Sequence, residues 1–156
     1  MRRDRPHDGS ITIPDRLHGT TVLVTGGAGF VGSHLASALA EACEVRVVDD
    51  LSAGERTRVP AAVTFVEGDV RETAALVPAA DGVDYVFHQA GLSSVPESVR
   101  RPVESHGRNV DGTLAVLEAA RENDARVVFA SSAAVYGRPS TVPVAEDEPA
   151  DPTSPY

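Results

Sequence analysis

A glycine-rich run and three aspartates are the residues of this chain whose types and spacing could do chemistry. Gly26-Gly27-Ala28-Gly29-Phe30-Val31-Gly32 fits both G-x-x-G-x-x-G and G-x-G-x-x-G. Such a turn lets backbone approach a pyrophosphate, and a helix opening there offers unpaired N–H groups and partial positive charge. The pattern alone is weak. Here it follows a short apolar run and precedes a helical one, the context that a dinucleotide site requires. Asp49 lies 23 residues after Gly26, at the end of the next apolar run. A carboxylate there can accept from both adenosine ribose hydroxyls and would repel a 2′-phosphate, which favours NAD over NADP. Asp50 is its neighbour. Asp69, in Gly68-Asp69-Val70, has two open readings: a contact at the adenine edge, or an N-cap for the helix that follows.

These residues need elements to hold them. Residues 21–25, 44–49, 63–66, 83–88 and 126–130 read as short buried strands. Residues 30–41 read as a helix with Val31, Leu35, Ala38 and Leu39 on one face. Residues 71–77 read as a short helix stopped by Pro78. Residues 102–123 read as a long helix with Val110, Leu114, Leu117 and Ala120 at helical spacing. From Tyr136 onward, five prolines argue against regular structure. Alternating strands and helices imply right-handed crossovers and a doubly wound parallel α/β sheet. Ligands of such sheets sit beyond the strands' carboxyl ends. Residues 1–19 read as a flexible extension and 20–156 as one domain. Arg2 and Arg3 lack the apolar stretch that an export signal needs.

Composition narrows the classes. The 156 residues are 42% hydrophobic, enough for a sizeable core, yet include only four Phe, three Tyr and no Trp. Val, Leu and Ala must fill the interior, which suits helices on a buried sheet. A net charge of -9 without a basic stripe argues against nucleic acid or an anionic membrane as partner. All 14 basic residues are Arg; there is no Lys. No apolar run reaches the ~20 residues of a membrane span. Cys43 is the single cysteine, so no intrachain disulfide forms, and a reducing, cytoplasmic setting is expected. The histidines, His34 and His88 included, show no pairing that suggests a metal, and none is expected.

Five motifs in order give the chain a resemblance. They are Thr25-Gly26-Gly27-Ala28-Gly29-Phe30-Val31-Gly32-Ser33-His34, Val48-Asp49-Asp50-Leu51-Ser52, His88-Gln89-Ala90-Gly91, Asn109-Val110-Asp111-Gly112-Thr113, and Ser131-Ser132-Ala133-Ala134-Val135-Tyr136-Gly137. The chain resembles the extended short-chain dehydrogenases, in particular the NAD-dependent epimerase/dehydratase family that acts on nucleotide sugars. That resemblance implies a Rossmann-like sheet of about five strands in the order 3-2-1-4-5.

The resemblance also implies roles. Gly26, Gly29, Phe30, Val31 and Gly32 would lie along the pyrophosphate of NAD. Asp49, Asp50, Leu51, Ser52 and Gly54 would frame adenosine, and Asp69 and Val70 would touch adenine. Gln89, Ala90, Gly91 and Ser93 would run beneath the nicotinamide half, with Asn109 fixing the active-site end of the long helix. Ser93 stands where one epimerase branch carries a Lys that contacts the cofactor. Ser132 matches the catalytic Ser/Thr, four residues before the Tyr of V-Y-G, and Ser131 reads as a hydrogen-bonded strand-end residue. Ser154-Pro155-Tyr156 matches the start of the helix that carries Y-x-x-x-K, so Tyr156 is the catalytic tyrosine and Tyr136 belongs to the V-Y-G turn.

In the family, the tyrosine takes a proton from a sugar hydroxyl that the serine holds, and the adjacent carbon gives hydride to NAD. Dehydratases place Asp-Glu directly after the catalytic Thr, where this chain has Ala133 and Ala134. That favours a 4-epimerase-like reaction on a nucleotide sugar, a UDP-sugar first, over lyase chemistry. The match covers a family's N-terminal part, without the Lys of Y-x-x-x-K or the substrate-binding half. Three expectations follow: these residues do not turn over sugar alone, the family's homodimer fails to form, and apolar strand surface in 83–87 and 127–129 stays exposed. A non-catalytic NAD-binding module is the competing reading.

Overall fold

The computed structural model describes residues 12–156. A five-stranded parallel sheet has the order β3-β2-β1-β4-β5. Its strands are β1 (Thr21–Thr25), β2 (Glu44–Asp49), β3 (Thr64–Glu67), β4 (Tyr85–His88) and β5 (Arg126–Phe129). The helices are α1 (Phe30–Leu39), α2 (Thr73–Ala80), α3 (Val95–Arg100), α4 (Pro102–His106) and α5 (Gly112–Glu122). The chain order reverses between β1 and β4, so the switch point opens at the carboxyl ends of those two strands.

Strand alternation divides the core between the sheet's two faces. Val22, Val24, Val45 and Val47 pack with Ala36 and Leu39 of α1. Leu23, Val48 and Val86 pack with Leu76 and Ala79 of α2 and Val116 and Ala120 of α5. Strands covered on both sides are apolar at nearly every position, which is why β1 reads as an unbroken run.

Several elements differ from the sequence expectation. In α1, Gly32, Ser33, Ala36 and Leu39 are buried, whereas Val31 is 59% exposed. α2 runs through Pro78. In an eight-residue helix few hydrogen bonds are at stake, and burial of Ala75, Leu76, Ala79 and Ala80 offsets the loss. The long helix is α4 and α5 joined by a π-helical turn, Gly107–Asp111. Its inward residues are Val116, Ala119 and Ala120; Val110, Leu114 and Leu117 face outward. Val83 and Val86 are buried because β4 is an interior strand, while Val128 and Phe129 of edge strand β5 are exposed.

Packing begins before β1. A turn at Asp15–Leu17 buries Leu17 against the α1 side of the core, and the Cys43 thiol donates to the Leu17 carbonyl at 3.1 Å. The remainder of the extension read over 1–19, including Arg2 and Arg3, falls in residues 1–11, outside the described ones. Among the described residues, no helix is long and apolar enough to cross a membrane.

Candidate functional site

The glycine turn sits between β1 and α1 and is fixed by close approach. Gly26 has φ +69° and donates to the Val48 carbonyl at 2.8 Å. A Cβ on Gly26 would lie 2.6 Å from the Ala90 nitrogen, and one on Gly32 would lie 2.2 Å from the Gly26 carbonyl oxygen. No larger residue fits either place without backbone movement. Gly29 caps α1 without a side-chain hydrogen bond, so the first-turn N–H groups keep their capacity for an anion. Phe30 and Val31 are exposed beside them, lining a cleft rather than the core.

Asp49 ends β2 with its side chain against that turn. Oδ2 accepts from Ala28 N–H at 2.9 Å and Oδ1 from Leu51 N–H at 2.8 Å, and the residue is buried. Each oxygen keeps a lone pair for a further donor. Asp50 Oδ1 accepts from the Ser52 backbone N–H at 3.0 Å and hydroxyl at 2.6 Å. Its Oδ2 accepts from Arg108 Nη1 at 3.1 Å. Asp69 is no helix cap: α2 begins after Glu72, and Asp69 accepts from Arg71 N–H and guanidinium in a tight turn. That guanidinium holds the Asp69 carboxyl below its ordinary range.

The other half of the cleft is built around His88 and Asn109. His88 is buried; Nδ1 lies 2.6 Å from Thr25 Oγ1, and Nε2 lies 3.0 Å from Thr113 Oγ1. Burial pushes its pKa down to about 4. Asn109 Oδ1 accepts from Leu92 N–H at 2.7 Å, and its Nδ2 donates to the Leu92 carbonyl at 3.1 Å. This double bond pins the segment after β4 to the long helix. Ser132 Oγ accepts from Ala134 N–H at 3.1 Å and caps the turn Ala133–Tyr136, which leaves its O–H free to donate. Asp151 N–H bonds the Val135 carbonyl at 2.9 Å, folding the last residues back. Tyr156 thereby reaches the cleft, although residues 154–156 form no helix.

These groups line one cleft of about 590 Å³, within the usual range for small-molecule sites. Every residue given a cofactor-binding or catalytic role from the sequence lines it except Leu51, whose N–H is spent on Asp49 and whose side chain packs against the α1-side core. Tyr136 stands outside the lining and Tyr156 within it. The sequence reading missed Arg108, Thr113 and Phe129, which line it too, and gave His88 no role. Among the described residues, no group of three or more His, Cys, Asp or Glu is placed to hold a metal.

A model of the NAD dependent epimerase/dehydratase family matches residues 22–156. The chain belongs to that family. Relatives agree: the UDP-glucose 4-epimerase of Azospirillum brasilense is 48% identical over 139 residues, covering 86% of this chain and 40% of its own length. That of Streptomyces lividans is 47% identical over 139 residues, covering 86% and 42%. Among solved structures, a UDP-glucose 4-epimerase from Brucella ovis in complex with NAD superposes with a TM-score of 0.83 at 41% identity, over 88% of this chain and 43% of that one. A UDP-N-acetylglucosamine 4-epimerase from Methanobrevibacter ruminantium M1, in complex with UDP-N-acetylmuramic acid, gives 0.84 at 38% identity, over 89% and 46%. This member of the epimerase/dehydratase family therefore spans about two fifths of the length of the curated relatives it matches. Its glycine turn stands at the switch point of its parallel sheet, and Asp49 reaches that turn from the end of β2.

Proposed function

We propose that residues 20–156 form the NAD-binding domain of a nucleotide-sugar 4-epimerase, with a UDP-sugar as substrate. The observation that carries the NAD part is Asp49, whose carboxylate is clamped by Ala28 and Leu51 N–H groups beside the glycine turn, with acceptor capacity left over. The 4-epimerase and UDP-sugar part is supported by the similarity to UDP-glucose 4-epimerases. The cradle fits the group: Gly26 and Gly32 let the turn close on Ala90 and on itself, which leaves the uncapped first turn of α1 at the cleft for a pyrophosphate, and a ribose diol needs a fixed, charged acceptor. Phe30 and Val31 would line the pyrophosphate, and Asp69 and Val70 the adenine. Gln89, Ala90, Gly91 and Ser93, held by Asn109, would underlie the nicotinamide. The single thiol, Cys43, suits a cytoplasmic setting.

Bound NAD supplies a hydride acceptor beside the sugar carbon. The chain's own residues handle the oxygen and its proton. Ser132, fixed by its bond to Ala134 N–H, would donate to the sugar oxygen and orient it. Tyr156, across the same cleft, would take the hydroxyl proton. Ala133 and Ala134 transfer no protons, which supports epimerase over dehydratase chemistry. Absence of Lys throughout the 156 residues supports a second reading, in which they bind NAD without catalysing on their own. Calorimetric titration with NAD tests the shared part of both readings, and UDP-glucose/UDP-galactose interconversion separates them. Absence of NAD binding would sink both.

A further inference from the structure

Two cations line the cleft, Arg58, paired locally with Glu55, and Arg108, which reaches across it. Arg108 is the one that joins separate elements. It lies in the π-helical turn of the long helix, 58 residues from Asp50 in sequence, and is half-buried. Its Nη1 donates to Asp50 Oδ2 at 3.1 Å and to Ser52 Oγ at 2.8 Å, and its Nε donates to Glu104 Oε1 at 3.1 Å. Nη2 has no protein partner among the described residues. The guanidinium therefore straps the loop after β2 to the long helix, beside the carboxylate proposed to hold the ribose. Two carboxylates, Asp50 and Glu104, flank its one positive charge. We propose that Arg108 is a specificity-determining residue for the dinucleotide, and that Asp50 masks it from a 2′-phosphate. This rests on the proposal that the cleft binds NAD.

A phosphate on the ribose would arrive beside Asp49 and Asp50 and meet their negative charge first. With Asp50 neutral, Glu104 is the one carboxylate left flanking Arg108, and the outer edge of its fork can turn to the phosphate in the paired geometry that guanidinium favours. Discrimination is then set by the Asp50–Arg108 pair as well as by Asp49.

The experiment measures Kd for NAD and NADP on the chain and on Asp50→Asn, Arg108→Gln and the double variant, and reads the ratio of the two constants. The ratio cancels changes in the cleft common to both cofactors. Asp50→Asn should lower Kd(NADP)/Kd(NAD) at least fivefold, and adding Arg108→Gln should bring it back to within twofold of the original. That gain should also shrink as salt rises, because it is electrostatic. A smaller fall, or a fall that survives Arg108→Gln, overturns the proposal and shows that removal of the Asp50 charge suffices. If the unsubstituted chain binds no NAD, the reading of the cleft fails and this inference with it. NAD binding with an unmoved ratio overturns the inference alone.

Discussion

Thr25 and His88 are register partners at the carboxyl ends of β1 and β4, and the Thr25 hydroxyl lies 2.6 Å from His88 Nδ1. The Thr113 hydroxyl donates to the Asn109 carbonyl at 2.6 Å, so it accepts from His88 Nε2–H. Thr25 Oγ1 accepts from Ala90 N–H at 3.3 Å. Burial disfavours the imidazolium, so His88 is neutral, with its proton on Nε2 and its Nδ1 accepting from the Thr25 hydroxyl. It joins both switch-point strands to the helix that carries Asn109, and its ring stacks on Phe129 with centroids 5.8 Å apart.

Stability should consequently fall as His88 is forced to ionise. Its folded pKa, about 4, lies below the ordinary 6.5, so the unfolded chain binds the proton first. The contribution is complete above about pH 6.5, falls as pH drops below that and is lost by about pH 4, on the order of 3 kcal/mol. Asp69, also depressed, loses its contribution lower, below the ordinary carboxylate value of 3.8. Urea titrations at pH 7.5 and 4.5 check this. The chain should lose about 2.5 kcal/mol more than His88→Gln over that interval. Equal losses would mean that His88 is protonated in the fold.

Gly32→Ala should damage both fold and cleft. The added Cβ would lie 2.2 Å from the Gly26 carbonyl oxygen and 2.8 Å from Gly27 Cα, both backbone atoms that cannot step aside. A loss of roughly 1–3 kcal/mol is expected from forced displacement. NAD affinity should drop at least about tenfold, a cost of 1.4 kcal/mol or more. Gly82→Ala is a useful contrast: its φ is +66° but nothing lies within 4 Å, so it should lose stability without losing affinity. Thermal melts and titration on the two variants distinguish strain from crowding.

Much of this was legible in the sequence because local chemistry decided it. β1 and β2 are apolar runs that end at Gly26 and Asp49, and burial on both faces made them easy to bound. Val31 reads as inward in the sequence and is exposed in the fold, because apolar spacing does not say whether a residue meets core or ligand. Val110, Leu114 and Leu117 misled in the same way. Pro78 reads as a stop because a local rule takes no account of the burial of Ala75, Leu76, Ala79 and Ala80 on the same helix. The contacts of His88 and Arg108 were out of reach. Thr25 is 63 residues from His88, and Asp50 is 58 from Arg108, and neither pair leaves a periodic trace.

NAD should bind more tightly than NADP, and Asp49→Ala should narrow the difference. The buried carboxylate would confront a 2′-phosphate with like charge, while in the variant that repulsion is gone. The same change leaves the Ala28 and Leu51 N–H groups without their acceptor. Hydrogen bonds to a charged group are worth about 1.5–3 kcal/mol, so stability should fall by about 2 kcal/mol or more. Titration with both cofactors and chemical denaturation check the two halves separately. Equal or tighter NADP binding by the unsubstituted chain would contradict the first.

The outward face of the long helix should bind an apolar dye or a second copy of the chain. Val110, Leu114 and Leu117 are 51%, 58% and 46% exposed, and Val103 in its α4 part is 85% exposed. Leu114→Gln with Leu117→Gln should reduce dye fluorescence and concentration-dependent scattering without lowering the melting temperature by more than a few degrees, because neither side chain is in the core. Undiminished dye binding in the variant would move the sticky surface elsewhere, to Val128 and Phe129 first.

These 156 residues should bind NAD without turning over a sugar, and the same residues within a longer epimerase should be active. An ordinary tyrosine phenol is only about 0.1% ionised at pH 7, so a tyrosine base depends on a neighbouring cation to favour the phenolate. No Lys is present to serve, and the two arginines that line the cleft are engaged: Arg108 with Asp50 and Glu104, Arg58 with Glu55. Residues 154–156 also lack the helical frame that would hold a base within hydrogen-bond reach of substrate. Ser132, by contrast, is already positioned by Ala134 N–H. The assay follows UDP-glucose/UDP-galactose interconversion by this chain and by a chimera that continues with the Azospirillum brasilense relative beyond the matched part. The chain alone should give no turnover. The chimera should turn over, and Ser132→Ala should slow it at least about 100-fold. Turnover by the 156 residues themselves, abolished by Ser132→Ala, would show that the phenol needs no Lys here and that the cleft already holds everything the proton transfer requires.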